Sequence, residues 1–251
     1  MDMPKLSVVI VARNEEKNIS GCLKSVSFAD EIIVIDDYSE DNTVSIARDL
    51  GAKVFLRAMD GNYAAQKQFG MEQASGDWLL FLDCDERITP ELANEIQQKV
   101  QENQKKTYLI RRLNYFNNTR VRYGTLRSDY VARLMPKDKI QIVGLVHERF
   151  EYPYEEQKCQ HGMEHRAYAS WSQYYRKFDQ YTDLSAKQYL QAGKSVSFWR
   201  DIVFRPIWAF LKMYIIHGGF LDGKIGWILA VNHYHYTMTK YVRFYDLKNP
   251  F

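Results

Sequence analysis

Three acidic side chains close a run of large apolar residues in WLLFLDCDERI (78–88): Asp83, Asp85 and Glu86, with Cys84 and Arg87 among them. A second acidic pair, Asp36 and Asp37, ends EIIVIDD (31–37), and Arg13, Asn14 and Glu15 follow soon after LSVVIV (6–11). Carboxylates one residue apart repel one another and lose hydration unless positive charge compensates. Arg87 is one candidate. A hard divalent cation is another, because Mg²⁺ and Mn²⁺ favour oxygen ligands and Mg²⁺ commonly takes one or two carboxylates together with phosphate oxygens. The plainer alternative is a solvated acidic turn with Glu86 on the surface. Asp36, Asp37 and Ser39 are likewise residue types of turns and helix caps.

Periodicity names the elements that must hold these groups. LSVVIV, EIIVID, KVFL (53–56) and DWLLFLD (77–83) are short apolar runs, the pattern of strands buried on both faces. Helical segments lie between them: Ile19, Cys22, Leu23 and Val26 at helical spacing, DNTVSIARDLGA ended by Gly51, and YAAQKQFGMEQASG closing at Gly76. Thr89-Pro90-Glu91 opens another helix, with Thr89 as N-cap, Pro90 at the first position and Leu92, Ile96 and Val100 on one face. Strand–helix alternation at this spacing predicts βαβ units in an open, doubly wound α/β sheet. Ligands of such sheets bind beyond the carboxyl ends of the strands, so the polar groups named above are expected along one edge. A cap needs only one of Asp36 and Asp37; a second carboxylate there can accept a hydrogen bond from the imide N–H of a uracil ring. VARNEE lacks G-x-G-x-x-G after the first strand, which sets aside a dinucleotide or P-loop reading.

A chain of 251 residues, 46% hydrophobic and 26% charged, is long and apolar enough for a packed domain with a smaller appendage. A formal net charge of +3 gives no argument for nucleic acid. Cys22, Cys84 and Cys159 are odd in number and without zinc spacing, so a reducing compartment is expected. MDMPKLSVVIVARNEE does not read as a signal peptide. The nearest approach to a spanning helix, IVFRPIWAFLKMYIIHGGF, is broken by Arg205, Pro206 and Lys212.

Most aromatic residues fall after residue 107. YLIRRLNYFNNTRVRYG and SDYVARLMPKDK read as strands, and QIVGLVHERF as a strand or turn. WSQYYRKFDQYTDLSAKQYLQAG reads as a long helix with Trp171, Tyr174, Tyr175, Phe178 and Tyr181 near one face. An aromatic and basic tail follows from Phe198. It suits a helix lying in a membrane interface, or one packed on the preceding domain with Lys and Arg stems over apolar surface.

LSVVIVARNEEKNI, EIIVIDDYSEDNT and GDWLLFLDCDERI, in this order and spacing, resemble the inverting family-2 glycosyltransferases of the GT-A nucleotide-sugar-binding fold, closely over residues 5–100. GLVHERF, YLQAGK and GGFLDGKIGWILA resemble a bacterial subgroup that includes lipopolysaccharide core β-1,4-glucosyltransferases. The resemblance implies a Rossmann-like mixed sheet with helices on both faces. A catalytic domain would cover 1–165, with a nucleotide-binding half over 1–105 and an acceptor-side half over 106–165. A helical extension over 166–251 would touch the inner face of the bacterial cytoplasmic membrane. The donor implied is a UDP-sugar, UDP-glucose in the subgroup, and the acceptor a lipid-linked glycan such as the inner-core heptose of lipopolysaccharide.

The resemblance also assigns roles. Val11, Ala12, Arg13 and Glu15 would border the nucleoside, and Asp37 would hold the uracil N3–H. Asp83 would approach the ribose or the metal, with Cys84 beside it, and Asp85 would ligate Mg²⁺ or Mn²⁺ bridging the diphosphate. Lys67 stands where relatives carry a base and would contact the diphosphate; otherwise it is a solvated helix lysine. Inversion requires a carboxylate to take the acceptor proton. Glu148 in GLVHERF is the implied base, Asp129 the fallback, and His147 a residue orienting the base or touching the acceptor; a buried, hydrogen-bonded histidine is the alternative for it. A Glu148–Arg149 surface pair is the alternative. Of His161 and His165, four residues apart with Gly162 against a helix, His165 is the choice for a metal or diphosphate contact. Two other classes compete. A nucleotidyltransferase would need the basic glycine-rich loop that VARNEE lacks. A membrane-bound scaffold or sugar-nucleotide-binding module retaining an inactive GT-A domain is the other, and intact Asp37, Asp83, Asp85 and Glu148 argue against it.

Overall fold

The computed structural model describes residues 3–144 and 149–249. The chain divides into two compact units: residues 1–112 with 129–165, and residues 113–128 with 166–251.

In the first unit β1 (Leu6–Ala12), α1 (Ile19–Ser25), β2 (Glu31–Asp36), α2 (Thr43–Asp49), β3 (Lys53–Leu56), α3 (Tyr63–Gln73) and β4 (Trp78–Asp83) alternate as expected. β5 (Glu86–Ile88) and α4 (Pro90–Glu102) follow, then β6 (Thr107–Phe116), β7 (Thr119–Arg120), β8 (Tyr130–Pro136), β9 (Gln141–Val143), β10 (Arg149–Glu151) and β11 (Glu156–Tyr168), of which β7 and the ends of β6 and β11 belong to the second unit. The main sheet runs β3-β2-β1-β4-β8-β6-β11-β5, with β7 paired to β6. β3, β2, β1 and β4 are parallel, whereas β8 runs against both β4 and β6, and β5 against β11. The doubly wound pattern therefore ends at β4 and the sheet is mixed. No crossover helix separates β6 from β8, and a parallel return needs one.

The pleat sorts the strands' side chains to two faces. Val8, Ile10, Val34, Leu80 and Leu82 pack with Ile19 and Leu23 of α1 and Leu92, Ile96 and Val100 of α4. Val9, Ile33, Ile35, Leu79 and Phe81 pack with Ala64 and Met71 of α3. Helices thus cover both faces. Thr89 caps α4 by accepting from the Leu92 N–H, with Pro90 in the first turn. α3 lies directly on the sheet at Gly70, where a Cβ would collide with Val9 and Ile35.

α3 ends at Gln73, three residues before the expected Gly76, and a buried acid explains why. The Ser75 N–H and Oγ both donate to Glu31 Oε2, at 2.8 and 3.0 Å, and the Gly76 N–H donates to Ser7 Oγ at 2.9 Å. Those donors leave the helical ladder. Gly76 is needed for clearance, since a Cβ there would meet Lys5 O and Ser7 within 3 Å.

Glu31 also receives Ser7 Oγ and Lys53 Nζ, each at 2.6 Å. Burial alone would raise its pKa; the bonds from Lys53, Ser7 and Ser75 outweigh that and bring it down to about 2. A depressed carboxyl stabilises the fold above its ordinary value near 4.5 and loses that contribution as pH falls toward 2. About 2–3 kcal/mol is at stake. Urea midpoints measured from pH 6 downward should fall more steeply for the parent than for Glu31→Gln. Parallel curves would remove Glu31 from the acid transition.

The second unit packs α5 (Trp171–Gln191) beside α7 (Gly223–Lys248), with Phe116, Val121, Tyr174 and Leu229 in one cluster and Ala186, Tyr241 and Phe244 in another. Of the expected aromatic face, Tyr174 is buried and Trp171 and Phe178 pack around it, while Tyr175 and Tyr181 are exposed. Residues 198–216 form one unbroken helical stretch. Its turns are wide at Phe198–Phe204 and Lys212–Ile216 and regular in between, in α6 (Arg205–Leu211). Pro206 near the start of the regular part removes one N–H from the ladder. The Asp222 carboxylate accepts the N–H groups of Arg122 and Tyr123, tying residues 113–128 to this unit. Among the described residues no helix is long and apolar enough to cross a membrane.

Candidate functional site

Register brings the acidic strand ends together. Val11 pairs with Asp83 across β1 and β4, and Ala12 with Asp36 across β1 and β2. Beyond these ends lies a cavity of about 320 Å³. Val11, Ala12, Arg13 and Glu15 line it from β1 and its following turn, and Asp37 from β2. Lys67 enters from α3, and Asp83, Cys84 and Asp85 from β4. Met59 and Tyr63, which sequence reading did not single out, complete the wall. A roomier depression of about 540 Å³ sits by Leu6, Phe28 and Val100 at the opposite end of β1, without converging carboxylates.

The two acids after β2 divide their work. Asp36 is the turn residue: its oxygens accept the Ser39 N–H at 2.7 Å and Oγ–H at 2.6 Å. Asp37 faces the cavity, with Oδ1 accepting the Met59 N–H at 2.9 Å and Oδ2 pairing with Arg13 Nη1 at 2.7 Å. Each carboxylate oxygen has a second lone pair, so a further donor can be accepted. Arg13 is mostly solvent-exposed apart from this pairing.

Asp83 is neutralised from within the protein. Lys67 Nζ lies 3.2 Å from Oδ1 and Arg133 Nη2 2.5 Å from Oδ2. The same Arg133 nitrogen reaches Glu86 Oε1 at 2.6 Å, and Glu86 Oε2 accepts the Asp83 N–H at 3.0 Å. Burial would raise the Asp83 pKa, but the charges of Arg133 and Lys67 more than reverse it and hold the group well below the usual carboxylate range. Glu86 moves the other way, because burial dominates over Arg133. Two expectations are corrected here. Glu86 is fully buried rather than surface decoration. Arg87 donates to the carbonyls of Cys84, Glu86 and Asn18, and the charge beside Asp83 and Glu86 comes from Lys67 of α3 and Arg133 of β8. Lys67 is 3% exposed, which rules out the solvated helix lysine. Arg133 Nε is buried without a hydrogen-bond partner among the described residues, so the network is not fully satisfied.

Asp85 is placed differently. Its Oδ2 lies 3.6 Å from His165 Nε2. His165 sits on strand β11, opposite Glu86 of β5, and not on a helix. Among the described residues no three His, Cys, Asp or Glu side chains converge tightly enough to hold a metal ion by themselves. Asp85 lines the cavity, with the His165 imidazole behind it, and its carboxylate fits a Mg²⁺ or Mn²⁺ ion that takes its remaining ligands from phosphate and water.

The remaining candidates have other partners or lie outside the described residues. Asp129 is clamped by Arg112, Nε to Oδ1 at 2.9 Å and Nη2 to Oδ2 at 2.5 Å. Burial raises its pKa, but the Arg112 bond and charge bring it down on balance, which makes it a weak base. His161 Nδ1 is 2.9 Å from Glu95, whose carboxylate also accepts the Gln160 and His161 N–H groups. The Cys84 thiol donates to Val11 O at 3.4 Å, and burial pushes its pKa well up, so it packs rather than reacts. His147 and Glu148 lie outside the described residues.

The model of the family described as glycosyl transferase family 2 matches residues 7–180. An uncharacterised glycosyltransferase of Rickettsia typhi is 28% identical over 253 residues, covering 91% of this chain and 82% of its own. The lipopolysaccharide core biosynthesis glycosyltransferase LpsC of Rhizobium meliloti is 26% identical over 254 residues, covering 97% and 94%. Among solved structures, glucosyl-3-phosphoglycerate synthase from Mycobacterium tuberculosis in complex with Mn²⁺, UDP and glucosyl-3-phosphoglycerate aligns with a TM-score of 0.36 and 23% identity, covering 45% of this chain and 44% of that one. The family match spans more than half of the sequence and includes every strand end that lines the cavity, and on that ground the chain belongs to glycosyl transferase family 2 and is a glycosyltransferase.

Proposed function

We propose that the protein transfers a sugar, glucose in the first instance, from a UDP-sugar to a lipid-linked bacterial glycan such as the lipopolysaccharide inner core, with inversion at the anomeric carbon, at the inner face of the cytoplasmic membrane. One observation carries this reading: the carboxyl ends of β1, β2 and β4 open into one cavity that joins Asp37, the Lys67–Asp83 pair and Asp85. Asp37 receives the imide N–H of uracil. Lys67 lies within reach of a diphosphate once the donor shares its charge with Asp83. Asp85 and His165 would hold a divalent cation, whose charge stabilises the departing diphosphate. Glu148 removes the proton of the acceptor hydroxyl as its oxygen bonds to the anomeric carbon and UDP leaves from the opposite face. The likeness to LpsC, named for lipopolysaccharide core biosynthesis, favours a glycan acceptor of that kind.

The test is binding of UDP with and without Mn²⁺, followed by thermal shift and calorimetry. The parent should bind UDP tightly only with the metal, and Asp85→Ala should lose the metal-dependent part while melting like the parent. Retained Mn²⁺-dependent binding in Asp85→Ala would put the cation elsewhere. Absence of any UDP response in the parent would remove the nucleotide reading.

A further inference from the structure

The helical stretch 198–216 is apolar on both sides, and only one side is used. On its inner side Phe210 and Tyr214 pack their rings on Trp227 of α7, at 5.4 and 5.1 Å between centroids. Pro206 and Asp201 are buried on that side as well. On its outer side Phe204, Ile207, Trp208, Leu211, Ile215 and Ile216 recur every three or four residues and face solvent. Trp199, 65% exposed, and Trp208, 58% exposed, are among the most exposed large side chains of the protein. A helix that is hydrophobic all round is normally covered all round, and an exposed apolar patch of this extent marks an interaction surface.

Charge tells what covers it. The exposed charges within 198–216 are Arg200, Arg205 and Lys212. The single acid in that stretch, Asp201, is 1% exposed and bound by Arg200 at 2.8 Å, Arg205 at 2.6 Å and the Ser197 N–H at 2.8 Å. The outward face is therefore aromatic and aliphatic, and the charges that border it are basic: Lys212, with Arg200 and Arg205 half-exposed beside it while paired to Asp201, Arg205 also donating to Tyr241 Oη. A second copy docked about a two-fold axis would set that positive face against itself. Anionic headgroups complement it, with tryptophans at the interface level and basic side chains at the phosphates.

We propose that residues 198–216 form a membrane-docking face that lies in the plane of an anionic lipid surface, with Trp199, Phe204, Trp208 and Ile216 entering the headgroup–acyl boundary. The surface is argued from the second unit alone and does not depend on the donor reading, so UDP binding is measured beside it.

The full-length chain should co-sediment with vesicles of phosphatidylethanolamine and phosphatidylglycerol, less with phosphatidylcholine alone, and less again in high salt. Trp208→Ser with Ile216→Ser should weaken partition by at least about tenfold, with melting and UDP binding unchanged. Brominated acyl chains should quench tryptophan fluorescence in the parent and much less in Trp199→Phe with Trp208→Phe. Failure of the parent to bind anionic vesicles would overturn the proposal. So would binding indifferent to the substitutions, or a dimer in sedimentation that the same substitutions dissociate without any vesicle binding.

Discussion

Arg133→Met should destabilise the protein by about 3–5 kcal/mol, the scale for removing one partner of a buried charge network. The residue is buried, and one of its nitrogens serves both Asp83 and Glu86. Without it Asp83 keeps Lys67, but Glu86, fully buried, loses its ion pair and faces a second carboxylate with the Asp83 N–H bond and the field of Arg112 left to it. Glu86 would then take up a proton at a cost in stability near neutral pH. Glu86→Gln alone should be milder, and adding it to Arg133→Met should restore a substantial part of the loss. Urea denaturation of the four proteins of this cycle gives the coupling directly. Additive losses would mean that Arg133 packs at this position without balancing the two acids.

Glu148→Gln should leave UDP and Mn²⁺ binding intact and lower turnover by about 10²-fold or more, the usual scale for a lost general base. UDP release from a UDP-sugar, with acceptor or with water, measures it, and calorimetry checks the binding. Asp129 is a poor substitute, since Arg112 holds both of its oxygens and depresses its pKa. Turnover close to that of the parent would show that Glu148 does not take the proton. Asp129→Asn would then be the next variant.

Local pattern was enough for the first half of the molecule. Apolar runs marked β1, β2 and β4, the last two ending in acids, and parallel pairing aligned their ends without further information. Arg133 was invisible at that stage, because ARLMP reads as an ordinary strand and nothing local says that β8 lies against β4. Glu86 misread for the same reason: its partner is 47 residues away. Lys67 was ambiguous because α3 has no clear apolar stripe, and only the tertiary packing shows its ammonium turned inward. The end of α3 escaped prediction because the competing acceptor, Glu31, comes from a different strand. His161 and His165 show the limit of spacing: four residues fit one helix face and equally one face of a strand, and β11 is a strand, in keeping with Gly162 speaking against a helix.

Gly70 touches no ligand, yet it sets how near Lys67 comes to Asp83. The two residues are three apart on α3, so the helix that rests on Val9 and Ile35 through a bare Cα carries the ammonium at a fixed height over the sheet. The thickness of a hydrogen atom at position 70 thus works as a spacer gauge for the polar rim. Any bulkier residue there would reset the site's charge spacing from the far side of a hydrophobic layer, and a search for activity determinants confined to the cavity wall would overlook it.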